Sequence, residues 1–113
     1  MKTRLILSAA GLVAALAFAP QASAADAAAA EALAKKEGCL KCHAVDKKKE
    51  AATLKEIAKK YAGKPDAEAT ILKQITTGVK VKFEDGTEDE HKTVKTKDKA
   101  EIDNLIQWIL SHK

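Results

Sequence analysis

Methionine occurs once in these 113 residues, as Met1, and aromatic side chains are nearly as scarce, with two Phe, one Tyr and one Trp. So few rings exclude the aromatic interleaving that a nucleic-acid surface needs, and the lysines fall on helices that also carry acids. They also leave a short chain with little material for a core of its own. Two Pro and five Gly are scattered, and no internal repeat or low-complexity linker is visible, so a single domain is expected. Only two Cys are present, too few for a four-thiolate zinc site, and His91 and His112 are too distant in sequence to complete one. No strand-helix-strand pattern surrounds them, which argues against a thioredoxin-like dithiol.

What the chain does have begins with one apolar run, at its start. Met1-Lys2-Thr3-Arg4 is basic, Leu5 to about Ala19 is apolar, and Ala22-Ser23-Ala24 has the small-x-small form of a cleavage site. This predicts a signal peptide over 1–24, cleaved after Ala24, and a mature periplasmic domain over 25–113. The run is short for a bilayer span, so a membrane-embedded protein is not expected. The whole chain has 20 basic and 16 acidic residues; loss of Lys2 and Arg4 leaves 18 against 16. Charge is better described by its distribution. Lys35, Lys36, Lys41, Lys47, Lys48 and Lys49 bracket the cysteines, whereas Glu84, Asp85, Glu88, Asp89 and Glu90 form a later acidic run. Such a dipolar surface could steer a redox partner.

The two cysteines fall in Cys39-Leu40-Lys41-Cys42-His43, which reads C-x-x-C-H, the attachment signature of c-type haem. Thiols three positions apart lie on about one turn of backbone and can add to the two vinyl groups of one haem. The adjoining His43 imidazole then reaches the iron as proximal ligand. One covalent haem c is therefore expected, and it would supply the large apolar body that this composition lacks.

Helical periodicity organises the rest. Asp26 can start a helix through an Ala-rich run to Lys36, with Ala29, Ala32, Leu33 and Lys36 near one face and Gly38 as its stop. Leu54, Ile57, Ala58 and Tyr61 recur as the stripe of a second helix closed at Gly63. Pro65-Asp66 opens a third, with Asp66 as N-cap, an apolar face of Ile71, Leu72 and Ile75, and Gly78 as terminator. Val79, Val81 and Phe83 alternate with lysines over one short extended stretch, and Glu84-Asp85-Gly86-Thr87 signals a turn, but no helical period returns until Lys97. A loop of that length in a compact domain points to function. Asp98 with Glu101 reads as a capping box for the last helix. Ile102, Leu105, Ile106, Ile109 and Leu110 form its stripe, with Trp108 on the flank and His112 at the helix C-terminus.

These elements together resemble the short bacterial class I cytochromes c. The resemblance rests on the haem motif, the Tyr61-Ala62-Gly63 helix end and the segment Ile106-Gln107-Trp108-Ile109-Leu110-Ser111. It implies an all-α fold of three to four helices around one haem, with the first and last helices crossing so that Leu33 and Gly38 meet the stripe around Leu105 and Trp108. Two departures stand out. The family's Gly-Pro, whose carbonyl accepts the proximal imidazole's second N–H, is replaced by Lys49-Glu50-Ala51-Ala52-Thr53. The family's distal Met, in the loop before the last helix, has no counterpart, because Met1 leaves with the signal peptide. His91 lies within about one position of that Met, counted back from Trp108, and is the expected sixth ligand. Lys92 is the runner-up, since an ammonium must first lose a proton from a pKa of about 10.4. Tyr61, Lys80 and Lys82 are the candidates for propionate contacts.

The resulting expectation is a monomeric carrier of single electrons between larger redox proteins, and not an enzyme, because no acid-base or nucleophile set is available. A haem-based gas binder or sensor is the alternative, and it requires a labile or open sixth site.

Overall fold

The computed structural model describes Gly11 and residues 25–113, so the expected signal peptide lies, Gly11 apart, outside the described residues. Asp26 precedes the first described helix. Its carboxylate accepts the Ala29 N–H at 3.1 Å and so caps α1 (Ala27–Lys36), while Lys35 and Lys36 stand at the negative end of the helix dipole. The buried face is Ala30, Leu33 and Ala34. Ala29 and Ala32 are exposed, so the expected face is rotated by about one residue; an all-alanine run carries no periodicity from which to choose.

A 3-10 turn over Cys39–Lys41 follows, and α2 (Leu54–Tyr61) comes after a polar connection. Thr53 and Glu56 form a reciprocal capping box at the start of α2: the Thr53 hydroxyl accepts the Glu56 N–H at 3.1 Å, and the Glu56 carboxylate accepts the Thr53 N–H at 3.3 Å. α3 (Ala67–Thr77) begins after Asp66, whose side chain makes no capping bond. Its buried face is Ala67, Ile71 and Ile75, while Leu72 is 40% exposed, against expectation. Gly78 ends the helix at φ 62°, a left-handed conformation that glycine takes without a Cβ penalty.

The region expected to be a loop is a β-hairpin. β1 (Lys80–Lys82) and β2 (Glu88–Glu90) pair antiparallel with Lys80 opposite Glu90 and Lys82 opposite Glu88. Opposite charges face each other directly across the ladder, which stabilises a sheet that buries little of its own surface. The turn is held by Asp85, whose carboxylate accepts the Thr87 N–H and hydroxyl at 2.9 and 2.6 Å. After β2 the chain is tied back by His91 N–H to the Val79 carbonyl at 2.8 Å and by Val94 N–H to the Ile75 carbonyl at 2.9 Å.

α4 (Lys99–Leu110) is capped by Asp98, which accepts from the Ala100 and Glu101 N–H groups. The reciprocal half of the expected capping box is absent, because the Glu101 carboxylate accepts the Thr96 hydroxyl instead. Trp108 is buried with Ile102, Leu105, Ile106 and Ile109, and Leu110 is only partly covered. The first and last helices pack together as expected. Leu33, Leu105 and Trp108 share the core with Leu54, Ile71, Ile75 and Val94, and Asp26 and Asn104 exchange two hydrogen bonds at 2.8 and 2.9 Å. Gly38 does not take part in that packing. A Cβ there would meet only the Lys41 stem, so its φ of 79° is what requires glycine. His112 closes α4, its Nδ1–H donating to the Trp108 carbonyl at 2.7 Å with the two rings edge to face. Among the described residues no helix is long and apolar enough to cross a membrane.

Candidate haem-binding site

The C-x-x-C-H motif is a single tight turn. Gly38 reverses the chain at the end of α1, and the Cys39 carbonyl accepts the N–H groups of Cys42 and His43 at 3.3 and 3.0 Å. Both thiols are thus held on one short arc with His43 beside them. Both are half-buried and not joined to each other, and burial, the largest cause, pushes the Cys39 thiol above its ordinary range.

His43 is oriented from nine residues downstream. Its Nδ1–H donates to the Ala52 carbonyl at 2.7 Å, which leaves Nε2 as the basic nitrogen. The missing Gly-Pro is therefore no obstacle: a backbone carbonyl does this work, and Ala52 supplies it. Ala51 N–H to the Cys42 carbonyl at 3.2 Å and Leu54 N–H to the Ala44 carbonyl at 2.9 Å hold that strand of chain against the motif. The Thr53 capping box then fixes the residue after Ala52.

The hairpin brings the second imidazole in. The His91 ring centroid lies 6.1 Å from that of His43, with the planes inclined by 35°. Its Nδ1–H donates to the Lys92 carbonyl at 2.7 Å, so its Nε2 is likewise the free basic nitrogen. Two imidazoles that each give about 2 Å to a metal–nitrogen bond place their centroids about 6 Å apart across one ion. The observed separation fits that span. Among the described residues no three His, Cys, Asp or Glu side chains converge on a common metal position.

Residues 27–113 match the sequence profile of the family described as Cytochrome c. The chain belongs to the cytochrome c family. Among curated relatives it is 34% identical over 83 residues to cytochrome c-551 of Pseudomonas aeruginosa, covering 74% of this chain and 76% of that protein. It is also 34% identical over 90 residues to cytochrome c-552 of Hydrogenobacter thermophilus, covering 74% and 81%. Among solved structures, the class 1 cytochrome MtoD from Sideroxydans lithotrophicus superposes with a TM-score of 0.76 at 48% identity, over 79% of this chain and 98% of that one. Cytochrome c552 of Nitrosomonas europaea superposes with a TM-score of 0.57 at 32% identity, over 74% and 99%. The fold is that of a class I cytochrome c with a small sheet added, and the protein carries one covalent haem c through Cys39 and Cys42. It is a small electron-transfer haem protein.

The other expected site residues fall elsewhere. Tyr61 lines a cavity of about 1050 Å³ between α2, α3 and α4, with the Lys60 and Lys64 ammoniums 5.5 and 5.6 Å from its ring; none of Cys39, Cys42, His43 and His91 lines that cavity. Lys80 and Lys82 are exposed on β1 opposite Glu90 and Glu88. Lys92 is exposed beside His91. The basic and acidic stretches are not opposite poles, because Lys48 and Glu84 form an ion pair at 2.9 Å that joins the segment after the motif to the hairpin turn. Sequence reading missed that bridge and the Ala52 acceptor. The first has no spacing rule, and the second is a main-chain oxygen that any residue would supply.

Proposed function

We propose that the protein is a soluble periplasmic carrier of single electrons, with the haem iron held between His43 and His91. The observation that carries this reading is the facing imidazole pair, each ring tied through Nδ1 to a backbone carbonyl and each left with a basic Nε2. Haem, when bound, takes up or releases one electron between its ferric and ferrous states. The chain does the rest. Cys39 and Cys42 fix the position of the group, and the Ala52 carbonyl orients His43. His91 would hold the iron opposite His43 and so deny that place to small gases. Membership of the cytochrome c family supports a carrier over an enzyme. Lys80 and Lys82, on the strand that leads into the hairpin, stand as the propionate contacts; Tyr61, in the cavity between α2 and α4, is the weaker candidate.

Export is supported by the basic start, apolar run and Ala22-Ser23-Ala24 site of the sequence. Among the described residues, Asp26, the second residue after the expected cleavage at Ala24, exchanges two hydrogen bonds with Asn104 of the last helix. N-terminal sequencing of periplasmic protein should begin at Ala25. The protein then works as a monomer that docks transiently with larger redox proteins.

Spectropotentiometric titration tests the ligation. A single reversible one-electron transition is expected, and His91→Met should raise its midpoint because Met as axial ligand raises the potential. A midpoint that does not move on this substitution contradicts His91 as ligand.

A further inference from the structure

The end of α1 and the segment after His91 enclose a second cleft, of about 340 Å³, lined by Lys36, Lys41, Lys92 and Lys95 together with Glu37 and Thr93. Four lysines line the cleft against one carboxylate. That carboxylate is already engaged, since Glu37 accepts the Lys95 backbone N–H at 2.8 Å. Three lysines elsewhere on the surface have acidic partners: Lys35 pairs with Glu31 at 2.8 Å, Lys48 with Glu84 at 2.9 Å, and Lys99 with Asp103. Among the described residues none of the four cleft lysines forms an ion pair. Like charges around one cleft repel one another, and an anion placed among them relieves the repulsion while accepting from several N–H donors at once.

We infer that this cleft binds a small multivalent oxyanion of the phosphate class. Its volume lies at the small end of ligand pockets, which run from about 300 to 1,000 Å³, and so suits a phosphate or diphosphate better than a bulky organic anion. The position gives the site a consequence. Lys41 lies inside the haem motif and Lys92 follows His91, so a bound anion ties together the two segments that carry the imidazoles. A negative charge here also favours the ferric over the ferrous state, and by linkage the ferric protein binds the anion more tightly. Binding itself is independent of the electron-carrier reading; only the ferric preference rests on it.

Calorimetric titration of the haem-loaded ferric protein with inorganic pyrophosphate, at ionic strength held constant with chloride, tests the site. One saturable site is expected. Affinity should fall about tenfold in Lys92→Gln/Lys95→Gln, as for two lost surface charge contacts, and stay unchanged in Lys59→Gln/Lys73→Gln, which removes the same charge from α2 and α3 outside the cleft. Titration without saturation, or equal affinity in all three proteins, overturns the proposal. Capture by phosphatidylglycerol vesicles without saturation by pyrophosphate assigns the cleft to a lipid headgroup and overturns a soluble ligand. Repeating the titration on ferrous protein isolates the coupling: weaker binding supports it, and equal affinity refutes it while the site stands.

Discussion

The two imidazoles are held in opposite ways. His43 sits in a contiguous stretch from Gly38 to Thr53 whose bonds are short in sequence: a tight turn, the Ala52 carbonyl, the Ala44 to Leu54 bond and the Thr53 capping box. His91 is mounted on an exposed hairpin, and its ring is oriented only by the carbonyl of the next residue. What holds that hairpin comes from far away in the chain: Ile75 to Val94, Glu37 to Lys95, and Lys48 to Glu84. Anchorage built from local bonds survives as long as the motif does. Anchorage assembled from scattered contacts opens before the fold as a whole unfolds. The distal side is therefore the side that damage should reach first.

Five perturbations bear on this asymmetry. The largest effect is expected from Cys39→Ala/Cys42→Ala, which removes the haem from both sides together. With so few aromatic side chains the remaining core should not hold, and far-ultraviolet circular dichroism should show the helices largely lost. Leu105→Ala comes next: it empties the centre of the core, where Leu105 is fully buried, and should cost about 3 kcal/mol by chemical denaturation without opening the sixth site to carbon monoxide. Val94→Ala removes the apolar anchor of the distal segment and should cost less, about 2 kcal/mol, yet raise the rate of carbon monoxide binding to the ferrous protein. If Leu105→Ala opens the site more than Val94→Ala does, the two sides are not separately anchored.

Smaller effects sharpen the proximal half. Thr53→Ala breaks the capping box next to Ala52 and should cost about 1 kcal/mol with the axial spectrum unchanged. The smallest effect lies in the hairpin turn. Hydrogen bonds from the Thr87 hydroxyl and N–H hold the Asp85 carboxyl below its ordinary range. Its contribution to stability is thus complete above the ordinary aspartate value and fades as pH falls through the lowered one. Asp85→Asn should blunt this acid loss, read as the pH at which the sixth ligand is released, because the small contribution of the carboxylate is then already missing at neutral pH.

The same contrast decides what was legible in the sequence. The proximal motif and the four helices could be read because their determinants are local: two cysteines at fixed spacing, Asp26 and Asp98 as caps, and stripes such as Ile102, Leu105, Ile106 and Ile109. The hairpin was half legible. Val79, Val81 and Phe83 alternate, but the return strand Glu88-Asp89-Glu90 is exposed throughout and pairs by charge, so no hydrophobic period marks it. Leu72 was read as core because it flanks Ile71 and Ile75, and only the packing of α3 shows that it faces out. Lys48 and Glu84 are 36 residues apart, and nothing in either stretch announces their meeting.

The central claim is that His91 completes the iron's coordination from the weaker side. Visible spectra of the ferric and ferrous protein, with and without carbon monoxide, beside those of His91→Ala, test it most directly. The account predicts a low-spin wild type indifferent to carbon monoxide and a folded, high-spin His91→Ala that binds it. A wild type that takes up carbon monoxide readily, or a His91→Ala protein that stays low-spin, would contradict it.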